Sequence, residues 1–208
     1  MLDPSAAAVQ KSDASSPQPA WVRLLIGVPG VLLAFLWGLA EGTFFFVVPD
    51  VAITLVAMIE PRRAWRHILA AIAGSVIGGA ILFSWSTSNP LAARQSVARV
   101  PFITAKMIAK VHASFETRGM GAVFLGPPAG TPYKIYAVEA PEFVSKSAFL
   151  WATVPARGER FLIVWAIFGI AGSLWRRFLP RTPGQLAFRH ACFWIIFYAF
   201  YWTIIVRR

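Results

Sequence analysis

The sequence predicts an all-α integral membrane protein: a helical bundle with two re-entrant or broken helical segments that form an inverted repeat. Three observations predict it. The 208-residue chain is 57% hydrophobic and only 14% charged, well below the roughly 25% charged content of soluble domains. Several apolar windows approach the ~20 residues that span a bilayer. Two stretches interrupt this apolar background with glycines, prolines and charges, around Glu41–Asp50 and around Gly126–Glu139.

Residues 1–20 are rich in Ala, Ser, Pro and Gln. Such a composition cannot bury a core and predicts a disordered tail. No apolar region follows the first residues closely, so the tail is not read as a signal peptide. Residues 21–208 form the membrane domain. Its first apolar run, Trp21 to about Ala40, is expected to be a helix acting as an uncleaved signal anchor.

The run Leu39–Asp50, LAEGTFFFVVPD, departs from a plain spanning helix. Trp21 to Ile59 covers 39 residues (59 − 21 + 1), too many for one crossing. Two arrangements fit: a re-entrant hairpin around Glu41–Asp50, or two short complete spans. Irregular backbone is tolerated at membrane depth where it lines a cavity. Ala64–Trp85 then reads as a long helix. Its Gly74 and Gly78, four residues apart, form a small-xxx-small face for close helix contact.

Residues 91–118 alternate Arg94, Arg99, Lys106, Lys110 and Arg118 with Val97, Val100, Ile103, Met107, Ile108, Val111 and Phe115 at helical spacing. The pattern predicts one amphipathic helix at the membrane surface. Gly126, Pro128, Gly130 and Pro132 then break the next apolar stretch. A second broken segment is expected here, matching the one at Pro49.

The run Pro155–Arg160, PARGER, admits two readings. As an aqueous loop, it leaves Phe161–Trp175 as the following span, which reaches only about 22 Å against a hydrocarbon core of ~30 Å. As helix, Ala148–Trp175 reaches about 42 Å, enough for a tilted span. The helical reading puts Arg157, Glu159 and Arg160 at membrane depth, where charges must face protein or a water-filled cavity. A break at the interface with snorkelling arginines is the alternative. Residues 187–206 are expected to be a C-terminal transmembrane helix.

The two halves align at an offset of 83 (132 − 49), which sets Pro49 against Pro132 and Ala57 against Ala140. Both read as a broken apolar segment, a short polar turn and a long helix. This is the layout of many inverted-repeat membrane proteins.

The net charge of +11 arises from 20 basic and 9 acidic residues. The basic residues cluster at the ends of apolar segments: Arg62, Arg63 and Arg66; Arg176, Arg177 and Arg181; Arg207 and Arg208. That placement suits lipid headgroups rather than nucleic acid. The sole cysteine, Cys192, is expected to be a small packing residue. His67, His112 and His190 are far apart and are expected to pack or sit at an interface. No Ser-His-Asp, HExxH or CxxC pattern occurs, so neither a metal, a cofactor nor an enzyme activity is expected.

EGTFFFVVPDVAITLVAMIEPRRAWRHILAAIAGSVIGG, from Glu41 to Gly79, resembles the first half of the DedA family, also called the VTT or SNARE-associated membrane domain. The shared features are a glutamate, a proline followed by a polar residue, and an Ala- and Gly-rich helix. FLGPPAGTPYKIYAVEAP falls where the family has a Gly-Arg-Phe-x-Pro-Gly-x-Arg element. Pro127 stands near the place of that element's first arginine and Lys134 near the second, so Arg157 and Arg160 are the candidates to supply the missing charge. The resemblance covers about Val31 to Trp175. It implies movement of a phospholipid or polyprenyl-phosphate lipid between leaflets, possible proton coupling, and residence in a bacterial plasma membrane. A non-transporting scaffold and a lipid-modifying enzyme are the alternatives. The implied partners are membrane lipids with anionic or phosphate-bearing headgroups, with a homo-oligomer left open.

The candidate roles follow. Glu41, Asp50, Glu139 and Glu159 are proton-coupling or charge-pair candidates, because an ionised carboxylate is costly in hydrocarbon. Glu41 and Asp50 have a competing role as acids near a helix N-terminus. Lys134, Arg157 and Arg160 are lipid-phosphate candidates, Arg through paired hydrogen bonds and Lys as a point charge. Their competing role is structural pairing with Glu139, Glu159 or Glu41.

Overall fold

The computed structural model describes residues 18–178 and 182–205. Most of the expected tail, together with Arg181, Val206, Arg207 and Arg208, lies outside the described residues, as do the side chains of 127–129, Pro128 among them, and of 204–205. All regular structure among the described residues is helical.

Helix α1 (Ala20–Ile26) and helix α2 (Val28–Thr43) meet at Gly27 with a bend of 54°. The sequence reading placed one helix here, from Trp21 to about Ala40. Pro29 explains the bend, because it has no amide to offer the Leu25 carbonyl and its ring crowds the preceding turn. His67, from a different helix, donates to that carbonyl through Nε2 at 2.9 Å.

Residues 44–49 are non-helical, and α3 (Asp50–Ile59) begins after Pro49, its N-cap. Helix α4 (Ala64–Ser88) is 25 residues long and packs along α2. Glycines set that contact. A Cβ on Gly74 would lie 2.1 Å from the Phe35 carbonyl oxygen, and one on Gly78 would lie 2.8 Å from that of Leu39. Gly38 and Gly42 are the corresponding small residues on α2, so the backbones approach closely.

The stretch 91–118 is two helices rather than one: α5 (Pro90–Ala98) and α6 (Ala105–Arg118). Pro101 interrupts them, and Phe102 takes a positive φ of 68°. Asn89 caps α5 through Ala92 N–H, and Thr104 caps α6 through Met107 N–H, each at 3.2 Å. The apolar stripe of α6 is used within the protein. Val111 and Phe115 are buried in one core cluster with Phe83, Tyr136 and Phe149, and Met107 and Ile108 pack against it.

Helix α7 (Ala122–Ala129) contains Gly126 and the backbone of Pro128. It is followed by a turn through Gly130, at φ 67°, to α8 (Tyr133–Glu139), whose N-cap is Pro132. Pro49 and Pro132, aligned by the offset of 83 (132 − 49), therefore both cap short helices. A Cβ on Gly126 would lie 2.7 Å from the Tyr136 ring, so the glycine makes room for α8.

Helix α9 (Lys146–Phe178) runs unbroken for 33 residues with Pro155 inside it. PARGER is thus helical, not a loop. Near the far end of α9, a Cβ on Gly172 would lie 2.6 Å from Met58 Cα, and Arg176 Nη1 donates to the Met58 carbonyl at the end of α3. Helix α10 (Pro183–Phe200) continues into a wider turn over Tyr201–Ile205.

Among the described residues, Ala64–Ser88 and Lys146–Phe178 are long and apolar enough to cross a membrane. The bent pair α1–α2 makes a third if it counts as one span. Helix α10, expected to span from 187 to 206, is not among them; it includes Gln185, Arg189 and His190.

Candidate functional site

Five charged side chains converge from four helices. Glu41 lies in the last turn of α2, and Asp50 is the first residue of α3, so the two acids flank the non-helical stretch. Lys134 is in the first turn of α8. Arg157 and Arg160 lie three residues apart on α9 and so share a side of the helix.

The acids and arginines pair one to one. Arg157 Nη2 donates to Glu41 Oε2 at 2.6 Å, with side-chain exposures of 2% and 3%. Arg160 donates to Asp50 Oδ2 through Nε at 2.9 Å and Nη2 at 2.5 Å. Asp50 is therefore both a first-turn acid of α3 and an ion-pair partner. Arg157 is also held between rings, its guanidinium carbon 5.3 Å from the Tyr133 ring centre and 4.8 Å from that of Phe161. Gly79 admits Tyr133, since a Cβ there would lie 2.0 Å from the tyrosine hydroxyl. That hydroxyl in turn meets Thr153 Oγ1 at 2.9 Å.

Lys134 is the base left over. It is 1% exposed and makes no hydrogen bond or ion pair with any described residue. Two buried polar atoms of the pairs also lack a hydrogen-bond partner, Asp50 Oδ1 and Arg157 Nε. Two acids thus face three bases.

Beside this group lies a cavity of about 530 Å³. Both interrupted segments line it, through Phe46, Val48 and Asp50 on one side and Gly130, Thr131, Pro132 and Lys134 on the other. Glu41, Glu159 and Arg160 also reach it, while Ile163, Phe168, Phe193 and Phe197 supply apolar wall. Glu159 is exposed and has no hydrogen bond or ion pair among the described residues.

Glu139 belongs elsewhere. Arg94 grips it with Nε at 2.7 Å and Nη2 at 2.6 Å, and His112 Nδ1 lies 2.8 Å away. Glu142 joins through Arg94 at 2.7 Å. The Glu139 hydrogen bond pushes the Arg94 pKa above its ordinary value, so that guanidinium stays charged. This second cluster fastens α5 and α6 to the end of α8. It uses an acid grouped by sequence with Glu41 and Asp50, and two bases, Arg94 and His112, that the sequence reading assigned to a surface helix and to packing or an interface.

Two tyrosines of the C-terminal region were also missed. The Val48 amide donates to the Tyr198 hydroxyl at 2.9 Å, and the Tyr201 hydroxyl donates to the Gly130 carbonyl at 2.7 Å. Each tyrosine satisfies one interrupted segment. Nearby, Trp202 stacks on Phe102 with ring centres 4.3 Å apart, and Phe46 packs against both. His190, expected to pack, lies 2.8 Å from Thr54 Oγ1 and accepts from Trp194 Nε1 at 3.0 Å.

No family model, curated protein or solved structure matches the chain.

Proposed function

We propose that this protein moves an amphiphile with an anionic, phosphate-bearing headgroup between membrane leaflets, as its resemblance to the DedA family implies. A phospholipid or a polyprenyl-phosphate lipid has the required chemistry, and the plasma membrane of a bacterium is the proposed location. The observation that carries the proposal is Lys134, a buried lysine without a described partner on the wall of an otherwise largely apolar cavity. Burying an unpaired charge is costly, and an intramembrane charge kept without a partner points to a ligand that supplies one. The volume of about 530 Å³ falls within the ~300–1,000 Å³ of small-ligand pockets, sized for a headgroup with its tails along the apolar walls.

In this proposal the interrupted segments act as the two re-entrant halves of an inverted repeat, meeting at the transported headgroup. Proton coupling enters through Glu41 and Asp50. Protonation of either carboxyl would release its arginine to a phosphate, and deprotonation would take the arginine back.

Lys134→Met tests the proposal. Methionine keeps an unbranched side chain one atom shorter and removes the amine. In vesicles containing the purified protein, lipid movement between leaflets should fall to the protein-free rate, while thermal stability stays equal or rises because an uncompensated charge has gone. Wild-type protein that moves no more lipid than empty vesicles would refute transport and leave a scaffold role. Full activity in Lys134→Met would remove the lysine from the mechanism.

A further inference from the structure

Three aromatic side chains from widely separated parts of the chain close on one another at the cavity wall: Phe46, Phe102 and Trp202. Two of them stand on irregular backbone. Phe102, in the link between α5 and α6, is the one non-glycine among the described residues with a positive φ, 68°. Bulky side chains rarely adopt that region, and a residue held there stores strain that its surroundings must offset. Trp202 lies in the widened turn Tyr201–Ile205 that follows α10, a form of backbone that recurs at functional sites. The rings of Phe102 and Trp202 lie flat on each other, 5° from parallel with centres 4.3 Å apart.

From this we infer that Phe102 and Trp202 form a gate on the cavity, and that parting their stack is what admits a ligand to Lys134. What passes the gate rests on the reading of the cavity as a headgroup site; the gate itself does not.

Lys134 lines the cavity yet is almost fully enclosed, so a ligand needs a route that the closed form covers. The stack sits where such a route can open. Phe102 is 37% exposed and stands at the rim rather than in the core. The link that carries it lies outside both flanking helices. Turning the Phe102 backbone back to negative φ relieves the strain and swings its ring off Trp202. That gives two discrete arrangements rather than a continuous drift. The stack also reaches both interrupted segments. Phe46, in the non-helical stretch after α2, packs on both rings, with centres 5.6 Å from Phe102 and 5.5 Å from Trp202. Tyr201, next to Trp202, donates its hydroxyl to the Gly130 carbonyl. Parting the rings therefore loosens contacts to each interruption, and entry to the cavity is coupled to movement of its walls.

Thiol labelling tests the gate without reference to transport. The purified full chain would carry Cys192→Ser to remove the native thiol and Lys134→Cys as the reporter. The reagent is the sulfonate-bearing methanethiosulfonate, a small water-soluble anion. Modification should be slow behind the intact stack. Phe102→Gly and Trp202→Ala should each speed it about tenfold, the order of change expected when one aromatic stack is lost. Phe102→Tyr keeps the ring and should leave the rate near its starting value. Ser75→Cys, a buried position in the α2–α4 contact and not on the cavity wall, reports general loosening and should stay unreactive in every variant. Four results would overturn the gate: reporter modification as fast as a free thiol before any gate change, a rate indifferent to either Phe102→Gly or Trp202→Ala, Phe102→Tyr as fast as Phe102→Gly, or a parallel rise at Ser75→Cys. Gated labelling without lipid movement in vesicles would refute transport and leave the gate standing. Lipid movement with ungated labelling would refute the gate alone.

Discussion

Arg157 and Glu41 stand 116 residues apart in the chain and meet at 2.6 Å, both almost fully enclosed. Such a pair contributes little net stability against an apolar replacement, yet removing one partner costs about 3–5 kcal/mol because the other charge is stranded. Glu41→Gln should therefore lower stability by that order as well as abolish lipid movement. Glu41→Gln with Arg157→Met should recover most of the stability and none of the movement. Thermal unfolding of the three proteins beside the vesicle assay is the check. A double variant no more stable than Glu41→Gln alone would mean that Arg157 is not the group left stranded.

The α2–α4 contact yields a second prediction. Gly74→Ala places a methyl group 2.1 Å from the Phe35 carbonyl oxygen, an approach relieved only by moving backbone. The expected loss is about 1–3 kcal/mol, in the range of overpacked cores. Gly121→Ala is the control, since its Cβ meets nothing closer than 3.8 Å. Equal unfolding midpoints for the two variants would refute the tight contact.

A third concerns the bend at Gly27. His67 supplies the hydrogen bond that Pro29 cannot give to the Leu25 carbonyl. His67→Leu should cost about 1–3 kcal/mol, the penalty for a buried acceptor left unsatisfied. Adding Pro29→Ala restores an amide to the turn and should recover part of that loss. Equal stability of the single and double variants would show that the carbonyl finds another partner.

These tests also mark what could be read from the chain. Length favoured the helical reading of PARGER, because the loop alternative left too short a span, but a helix break at the interface stayed open until the unbroken α9 excluded it. Gly74 and Gly78 were legible as close-contact positions from their spacing. The acids and bases of the site could be named from their placement in apolar surroundings, but their pairing could not. Glu139 and Lys134 are five residues apart on one short segment, yet Glu139 is held by Arg94 and His112 while Lys134 faces the cavity. Which face of α8 meets which neighbour is decided by packing at long range, and a single sequence carries no record of it. The bend is signalled by Pro29, whose ring and missing amide disfavour a straight helix. The alternation in 91–118 identified an amphipathic pattern but not its partner: the stripe on α6 is met by protein core, and Pro101 divides the run.

A fourth prediction separates the two tyrosines. Tyr198→Phe removes the acceptor of the Val48 amide, and Tyr201→Phe removes the donor to the Gly130 carbonyl. Each should cost about 1 kcal/mol. Hydrogen exchange at Val48 should quicken in Tyr198→Phe and stay near the wild-type rate in Tyr201→Phe. Equal exchange in all three proteins would mean that the amide is protected by something other than Tyr198.

The tyrosine contacts also carry a consequence in time. A chain is made from its N-terminus, and its earlier segments begin to fold while later ones are still being added. The Val48 amide and the Gly130 carbonyl are synthesised well before the residues that satisfy them, Tyr198 and Tyr201. Until that last helix emerges, both interruptions lack these partners, and the nascent protein holds an unfinished wall around its cavity. Assembly of the site is thus a late event of biosynthesis, and a ribosome stalled before Tyr198 would leave a chain with its two long apolar helices complete and its cavity unsealed.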